Sequence, residues 1–234
     1  MKNLPNIITS LNLYAGCLSC VMSLVYANYI GAFIFILLAA CFDFLDGFVA
    51  RFIKAYSSIG AQLDSLADVV SFGVAPGFMI YSFLLSSSVG VPYGVNIPFL
   101  AFLIPVFAAI RLAKFNVDKR QTSSFLGLPA PANGLFWAAL ISSIPLTDTN
   151  HIFSTFFVVL LIVVFCILMV SELPMFSLKF THYKWAGNQY PYILILITLL
   201  LTAFFHLLGI CLAIAFYIIL SLIRYAFALR KKHE

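Results

Sequence analysis

Charge is the scarcest thing in this sequence. Of 234 residues, 13 are lysine or arginine and 8 are aspartate or glutamate, 9% of the chain, where soluble domains carry roughly 25%. With 63% hydrophobic residues and a mean hydropathy of +1.08, this shortage excludes a soluble globular fold. Long polar stretches are missing too, so no separate soluble domain fits between the apolar runs. Cysteine is sparse and unpatterned. Cys17, Cys20, Cys41, Cys166 and Cys211 all lie in apolar segments, and Cys17-x-x-Cys20 has neither a second pair nor a nearby histidine, which favours packing over zinc or redox chemistry. Internal repeats and low-complexity segments are absent as well.

What is there is a series of apolar runs, each near the roughly 20 residues that cross a bilayer. Hydropathy gives about eight transmembrane helices, at 8–28, 31–53, 60–85, 97–115, 131–146, 152–171, 190–205 and 208–229. The expected fold is therefore all-α and polytopic, one integral-membrane domain over residues 1–234. The N-terminal run, broken by Asn6, Thr9, Ser10 and Asn12, reads as mature sequence and not as a signal peptide.

The few cations test this map. Lys2, Lys54, Lys114, Lys119, Arg120, Lys179, Lys184 and Arg230-Lys231-Lys232 fall on one side of it, while the opposite connections, at 28–30, 86–96, 147–151 and 206–208, hold no lysine or arginine. The asymmetry puts both termini in the cytoplasm. The net charge of +5 then reads as topology and attraction to anionic lipid headgroups, and no nucleic acid is expected as a partner. Lys119 and Arg120 read as solvated or headgroup-facing, and His206, on the far face, as non-catalytic.

Against that background one stretch stands out. DFLDGFVARFIKAYSSIGAQLDSLAD, residues 43 to 68, holds Asp43, Asp46, Asp64 and Asp68, half of the acidic residues in the chain. It lies in a hairpin at 31–85. Asp43, Asp46, Gly47 and Ala50 are spaced i, i+3, i+4, i+7, and Gly60, Asp64, Asp68 and Ser71 follow i, i+4, i+8, i+11, so each set shares one helical face beside small residues. At ~1.5 Å per residue, Asp43 and Asp68 lie about 12 Å below the turn, with Asp46 and Asp64 nearer to it. All four should converge in the cytoplasmic third of the membrane, Asp43 with Asp68 and Asp46 with Asp64.

Four carboxylates in low dielectric repel one another unless a positive charge sits among them. An all-oxygen cluster suits hard divalent cations, Mg²⁺, Mn²⁺ or Ca²⁺, and four ligands suit two ions. Two bland alternatives stay open, protonated carboxyls that hold helices together and an ion path through a divalent-cation transporter. Two-metal sites clamp a transferring phosphoryl group, and at this depth a lipid-linked phosphodiester and a soluble nucleotide could both reach the ions.

Asp43-x2-Asp46-Gly47-x2-Ala50-Arg51-x8-Gly60-x3-Asp64-x3-Asp68 resembles the signature of the CDP-alcohol phosphatidyltransferase family, with every position filled. The stretches 63–76 (LDSLADVVSFGVAP), 111–116 (RLAKFN) and 125–131 (FLGLPAP) are similar to the membrane-integrated phosphatidylserine synthase branch of it, whose members have an eight-helix arrangement. The likeness is clear to about residue 135. It implies transfer of the phosphatidyl group from CDP-diacylglycerol to an alcohol, with release of CMP, at two divalent cations (Mg²⁺ or Mn²⁺) held by Asp43, Asp46, Asp64 and Asp68. Asp68 would also be the general base.

The same resemblance assigns Gly47, Ala50 and Gly60 to the space for the CDP group, Arg51 to its charge, and Asn6 and Thr9 to a segment that approaches the nucleotide. Each has a simpler reading beside it. Arg51 could be a topology anchor, Asn6 or Thr9 a helix cap, and the Gly127–Gly134 segment either a binding loop or a helix start. For the acceptor, L-serine needs a fixed cation for its carboxylate, and Arg111, with Lys114 and Asn116 close by, is the candidate. Sibling acceptors are glycerol 3-phosphate and an inositol phosphate, but a phosphorylated acceptor wants several cations and few are offered here. The expected setting is the inner, cytoplasmic membrane, with the active site facing the cytoplasm. Family members commonly pair, so a homodimer is compatible with the resemblance.

Overall fold

A computed structural model describes residues 3–55, 57–87, 96–118, 125–144, 151–175 and 188–233. Its helices are α1 (Leu4–Leu24), α2 (Tyr29–Phe52), α3 (Ser58–Val69), a π-helical turn (Val70–Val74), α4 (Ala75–Ser87), a 3₁₀ turn (Ile97–Phe102), α5 (Leu103–Val117), α6 (Ala130–Ser143), α7 (His151–Val170), α8 (Gln189–Phe205) and α9 (Leu207–His233). Since α3, the π turn and α4 run on without a break, and the 3₁₀ turn leads directly into α5, the described residues form eight continuous helical segments. The protein is an all-α polytopic membrane protein. Five segments are long and apolar enough to cross a bilayer, Leu4–Leu24, Tyr29–Phe52, Ser58–Ser86, Ile97–Val117 and Leu207–Ala226. Of the topology charges, Lys2, Lys119, Arg120, Lys179 and Lys184 lie outside the described residues, as do the connections at 88–95 and 145–150.

Local chemistry sets the boundaries. Helix α1 starts at Leu4 with Pro5 in its first turn, four residues before hydropathy places it, because proline is pre-set for that position and polar residues are tolerated where the helix packs inward. Neither Asn6 nor Thr9 is its cap. Asn28 caps α2 by accepting from the Gly31 N–H at 2.8 Å, and Ser57 caps α3 by accepting from the Gly60 N–H at 2.9 Å. Helix α6 begins at Ala130 with Pro131 in its first turn, so the second half of the Gly127–Gly134 segment is a helix start. Its first half pairs instead with the last turn of α7 and the residues after it. Strand β1 (Phe125–Leu126) lies antiparallel to β2 (Pro174–Met175), and the Gly127 and Leu128 N–H groups donate to Leu173 and Leu168.

The core lies where α1, α2, α4 and α6 meet around the π turn, with Trp137, Phe72, Ile36, Met79, Ile80 and Leu84 fully enclosed. The outer faces carry large exposed apolar side chains, among them Phe44, Phe48 and Phe52 on α2, Leu160 on α7 and Leu199 on α8. In water such a surface would aggregate. Against lipid it costs nothing.

The π turn is held from three sides, by α1, α5 and α6. On α1, Gly16 lies so close that an added Cβ would sit 2.5 Å from Ser71 Oγ and 2.9 Å from its Cα; on α6, one at Gly134 would sit 2.9 Å from Phe72. Polar contacts fill what the glycines leave. Ser71 Oγ donates to the Asn12 carbonyl at 3.0 Å, Asn133 Nδ2 donates to the Phe72 carbonyl at 3.1 Å, and Trp137 Nε1 donates to Asn133 Oδ1 at 3.1 Å. A π turn frees backbone carbonyls from their usual partners, and here Asn133 satisfies one of them. These contacts begin two residues after the helix that carries Asp64 and Asp68 ends.

Candidate active site at the aspartate hairpin

Helices α2 and α3 bring the predicted carboxylates together. One oxygen each from Asp43, Asp64 and Asp68 lies within 4.8 Å of the others. Asp46 is turned to α1, where it accepts from the Thr9 hydroxyl at 2.6 Å, yet it still faces Asp43 and Asp64 electrostatically. The pairing by depth is thus looser than expected, as Asp43 meets Asp64 as well as Asp68. Asp46 and Asp68 are the two buried members of the group, 6% and 8% exposed, and Asp68 Oδ1 accepts from Asn12 Nδ2 at 3.4 Å. Asp64 Oδ1 is buried and has no hydrogen-bond partner among the described residues.

The site's chemistry fits a divalent cation. Three convergent carboxylates and a buried oxygen that lacks a partner among the described residues are a hard-oxygen donor set of the kind Mg²⁺ or Mn²⁺ takes.

Two cavities open beside the cluster. One, of about 210 Å³, is lined by Asn6, Thr9, Asp46, Gly47, Ala50, Ser57, Gly60 and Asp64, with Pro5, Ala55 and Ala61. Five of the six residues assigned to the CDP group are in its wall. The sixth, Arg51, is exposed, and its Nη2 would stand 4.0 Å from a Cβ on Gly47, which puts the guanidinium beside that wall. Gly60 is small for a reason the geometry makes plain: a Cβ there would meet Asn6 Oδ1 at 2.8 Å and Ser57 Oγ at 2.9 Å.

The other cavity, of about 310 Å³, is lined by Arg111, Lys114, Val117, Asp118, Leu126, Met169, Val170, Ser171 and Glu172. Arg111 connects it to the carboxylates. Its side chain is 6% exposed, interacts electrostatically with Asp68 and Tyr217, and lies 5.6 Å from the Phe115 ring centroid, while its Nε has no hydrogen-bond partner among the described residues. Lys114 Nζ donates to the Val170 carbonyl at 3.5 Å. Asn116 is off this wall, donating through Nδ2 to Ser65 Oγ at 2.9 Å.

Several residues escaped the sequence reading. Asn12 belongs with Asn6 and Thr9 to the segment that resembles the family's nucleotide-approaching stretch, but its contact with Asp68 was not expected, although the shared spacing along one face of α1 carries the signal. Ser57 sits next to the cavity as the cap of α3. Asp118 and Glu172 are 54 positions apart, and nothing in the sequence joins them.

Comparison with known proteins agrees with this geometry. A family model described as CDP-alcohol phosphatidyltransferase matches residues 2–170. A CDP-diacylglycerol--serine O-phosphatidyltransferase of Helicobacter pylori (strain 26695) is 32% identical over 97% of this chain and 92% of its own. Its namesake in Bacillus subtilis is 37% identical over 58% of this chain and 73% of its own. An archaetidylserine synthase of Methanothermobacter thermautotrophicus is 37% identical over 73% and 68% respectively.

Proposed function

The chain belongs to the CDP-alcohol phosphatidyltransferase family, and from that premise we propose that it transfers the phosphatidyl group of CDP-diacylglycerol to L-serine, giving phosphatidylserine and CMP. The observation that carries this is the position of the aspartate cluster. It lies between a cavity walled by small residues, fit for a nucleotide diphosphate, and a second cavity whose buried Arg111 faces Asp68. The serine-named relatives, one of them matched over nearly its whole length, support the choice of acceptor.

Asp43, Asp46, Asp64 and Asp68 would hold two divalent cations, Mg²⁺ or Mn²⁺, which when bound supply Lewis-acid stabilisation of charge on the diphosphate oxygens. The remaining steps belong to the chain's own residues. Asn6, Thr9, Gly47, Ala50 and Gly60 enclose the CDP group, with Arg51 at its edge, while the diacylglycerol stays in the bilayer. Arg111 and Lys114 bind the serine carboxylate. Asn116 acts through Ser65, tying α5 to the helix that carries Asp64 and Asp68. Asp68 accepts the proton of the serine hydroxyl as its oxygen attacks the phosphorus that bears the diacylglycerol. The phosphorus–oxygen bond to CMP breaks, CMP leaves with the bridging oxygen, and the proton passes from Asp68 to water. The lysine and arginine asymmetry supports a site at the cytoplasmic face of the cytoplasmic membrane, with both termini inside.

The test is CMP release by purified protein in detergent with CDP-diacylglycerol and Mn²⁺ or Mg²⁺, with serine, glycerol 3-phosphate and inositol phosphate offered separately. Release with serine alone is expected. Release with a phosphorylated acceptor instead would replace the substrate but keep the mechanism. Divalent-cation flux in vesicles with no CMP from any acceptor would overturn the enzyme altogether.

A further inference from the structure

The cavity at Arg111 holds charges of both signs. Arg111 and Lys114 contribute the cations from α5, while Asp118, just past the end of α5, and Glu172, just past the end of α7, contribute carboxylates. The Asp118 N–H donates to the Lys114 carbonyl at 2.9 Å, which holds the acid and the base on one turn. Arg111 is the inner end, buried, with Nε unpartnered among the described residues and its charge facing Asp68. Glu172 is exposed at the outer end.

The geometry points to Asp118 and Glu172 as the residues that recognise the ammonium group of the acceptor, and thereby make the site specific for a zwitterionic hydroxy amino acid. This rests on serine being the acceptor. A serine with its carboxylate on Arg111 and its hydroxyl toward Asp68 directs its ammonium away from the metal-binding carboxylates, toward the wall that Asp118 and Glu172 complete. The same two carboxylates repel a phosphomonoester dianion, so they select against phosphorylated acceptors as well as for serine. An analogue without the ammonium would forgo that contact and be selected against.

The experiment compares L-serine with 3-hydroxypropionate, which keeps hydroxyl and carboxylate but lacks the amine. With CDP-diacylglycerol and Mn²⁺ saturating, kcat/KM is measured for both acceptors in the wild type, Asp118→Asn, Glu172→Gln and the double variant, with KM for CDP-diacylglycerol as the control for an intact site. The double variant is expected to lose about 10- to 100-fold in kcat/KM for serine, through KM, at unchanged KM for CDP-diacylglycerol. Its kcat/KM for 3-hydroxypropionate should stay the same or rise, so that the preference for serine narrows. Glu172→Asp is expected to recover part of that preference. A fall of equal size for both acceptors would make the two acids structural, and no change for either would make them irrelevant. Both results overturn the proposal and leave serine as the acceptor. A wild type that releases CMP only with a phosphorylated acceptor would overturn both.

Discussion

Thr9 has one hydroxyl proton and two acceptors within reach, Asp46 Oδ2 at 2.6 Å and the Pro5 carbonyl at 3.0 Å. The shorter, charge-assisted contact takes it. Thr9 therefore orients a proposed metal ligand from a different helix, a role distinct from the helix cap that its place near the N-terminus suggested. Replacing Thr9 with valine is expected to raise the Mn²⁺ concentration needed for half-maximal CMP release by about 10-fold, the lower end of what supporting partners of metal ligands contribute. Serine at this position should restore it, and a metal titration of both variants checks the claim. At Asp68 the expectation is larger. Asp68→Asn should reduce CMP release by about 10²- to 10⁴-fold, the range of general acid–base catalysis, and a loss below 10-fold would remove the base from this residue. Chelation with EDTA should abolish activity, and added Mn²⁺ or Mg²⁺ should restore it; activity that survives chelation would contradict the metal assignment.

The element that matters most is the π turn between α3 and α4, because α1, α5 and α6 all press on it. Its glycine contacts let backbones approach at distances that a methyl group would forbid. Gly16→Ala is expected to cost about 1–3 kcal/mol, typical of an overpacked core, and Asn133→Ala a similar amount, because the Phe72 carbonyl would be left buried and unpaired. Both are checked by the midpoint of thermal unfolding in detergent. If the turn also fixes Asp68, the Gly16 variant should lose activity at temperatures where it is still folded. The hairpin helices themselves were legible, since both show their aspartates and small residues on one face. The π turn was not. Nothing in Val70–Val74 distinguishes an inserted turn from ordinary helix, and its cause lies in what α1, α5 and α6 present to it.

For the molecule as a whole, the charge asymmetry predicts that the connection between α2 and α3 and the chain's C-terminus share one side of the membrane. In a cysteine-free background, single cysteines at Ser57 and at Glu234 should both be protected from an impermeant maleimide in intact cells, and both should react after the membrane is opened. Labelling of only one in intact cells would break the topology.

Much of this protein was fixed by composition and spacing. So few charges in so apolar a chain require a membrane, apolar runs of near-spanning length require helices there, and a 26-residue stretch with four aspartates at helical spacing brings carboxylates together between two helices. These follow from local sequence, because hydropathy and helical period act over a few turns. Tertiary structure alone decided the rest. It turned Asp46 toward Thr9, put Asn12 against Asp68, took Asn116 to Ser65, and joined Arg111, Asp118 and Glu172 in one cavity. Those residues are brought together by how helices from distant parts of the chain pack, and no short-range pattern encodes which of their faces will meet.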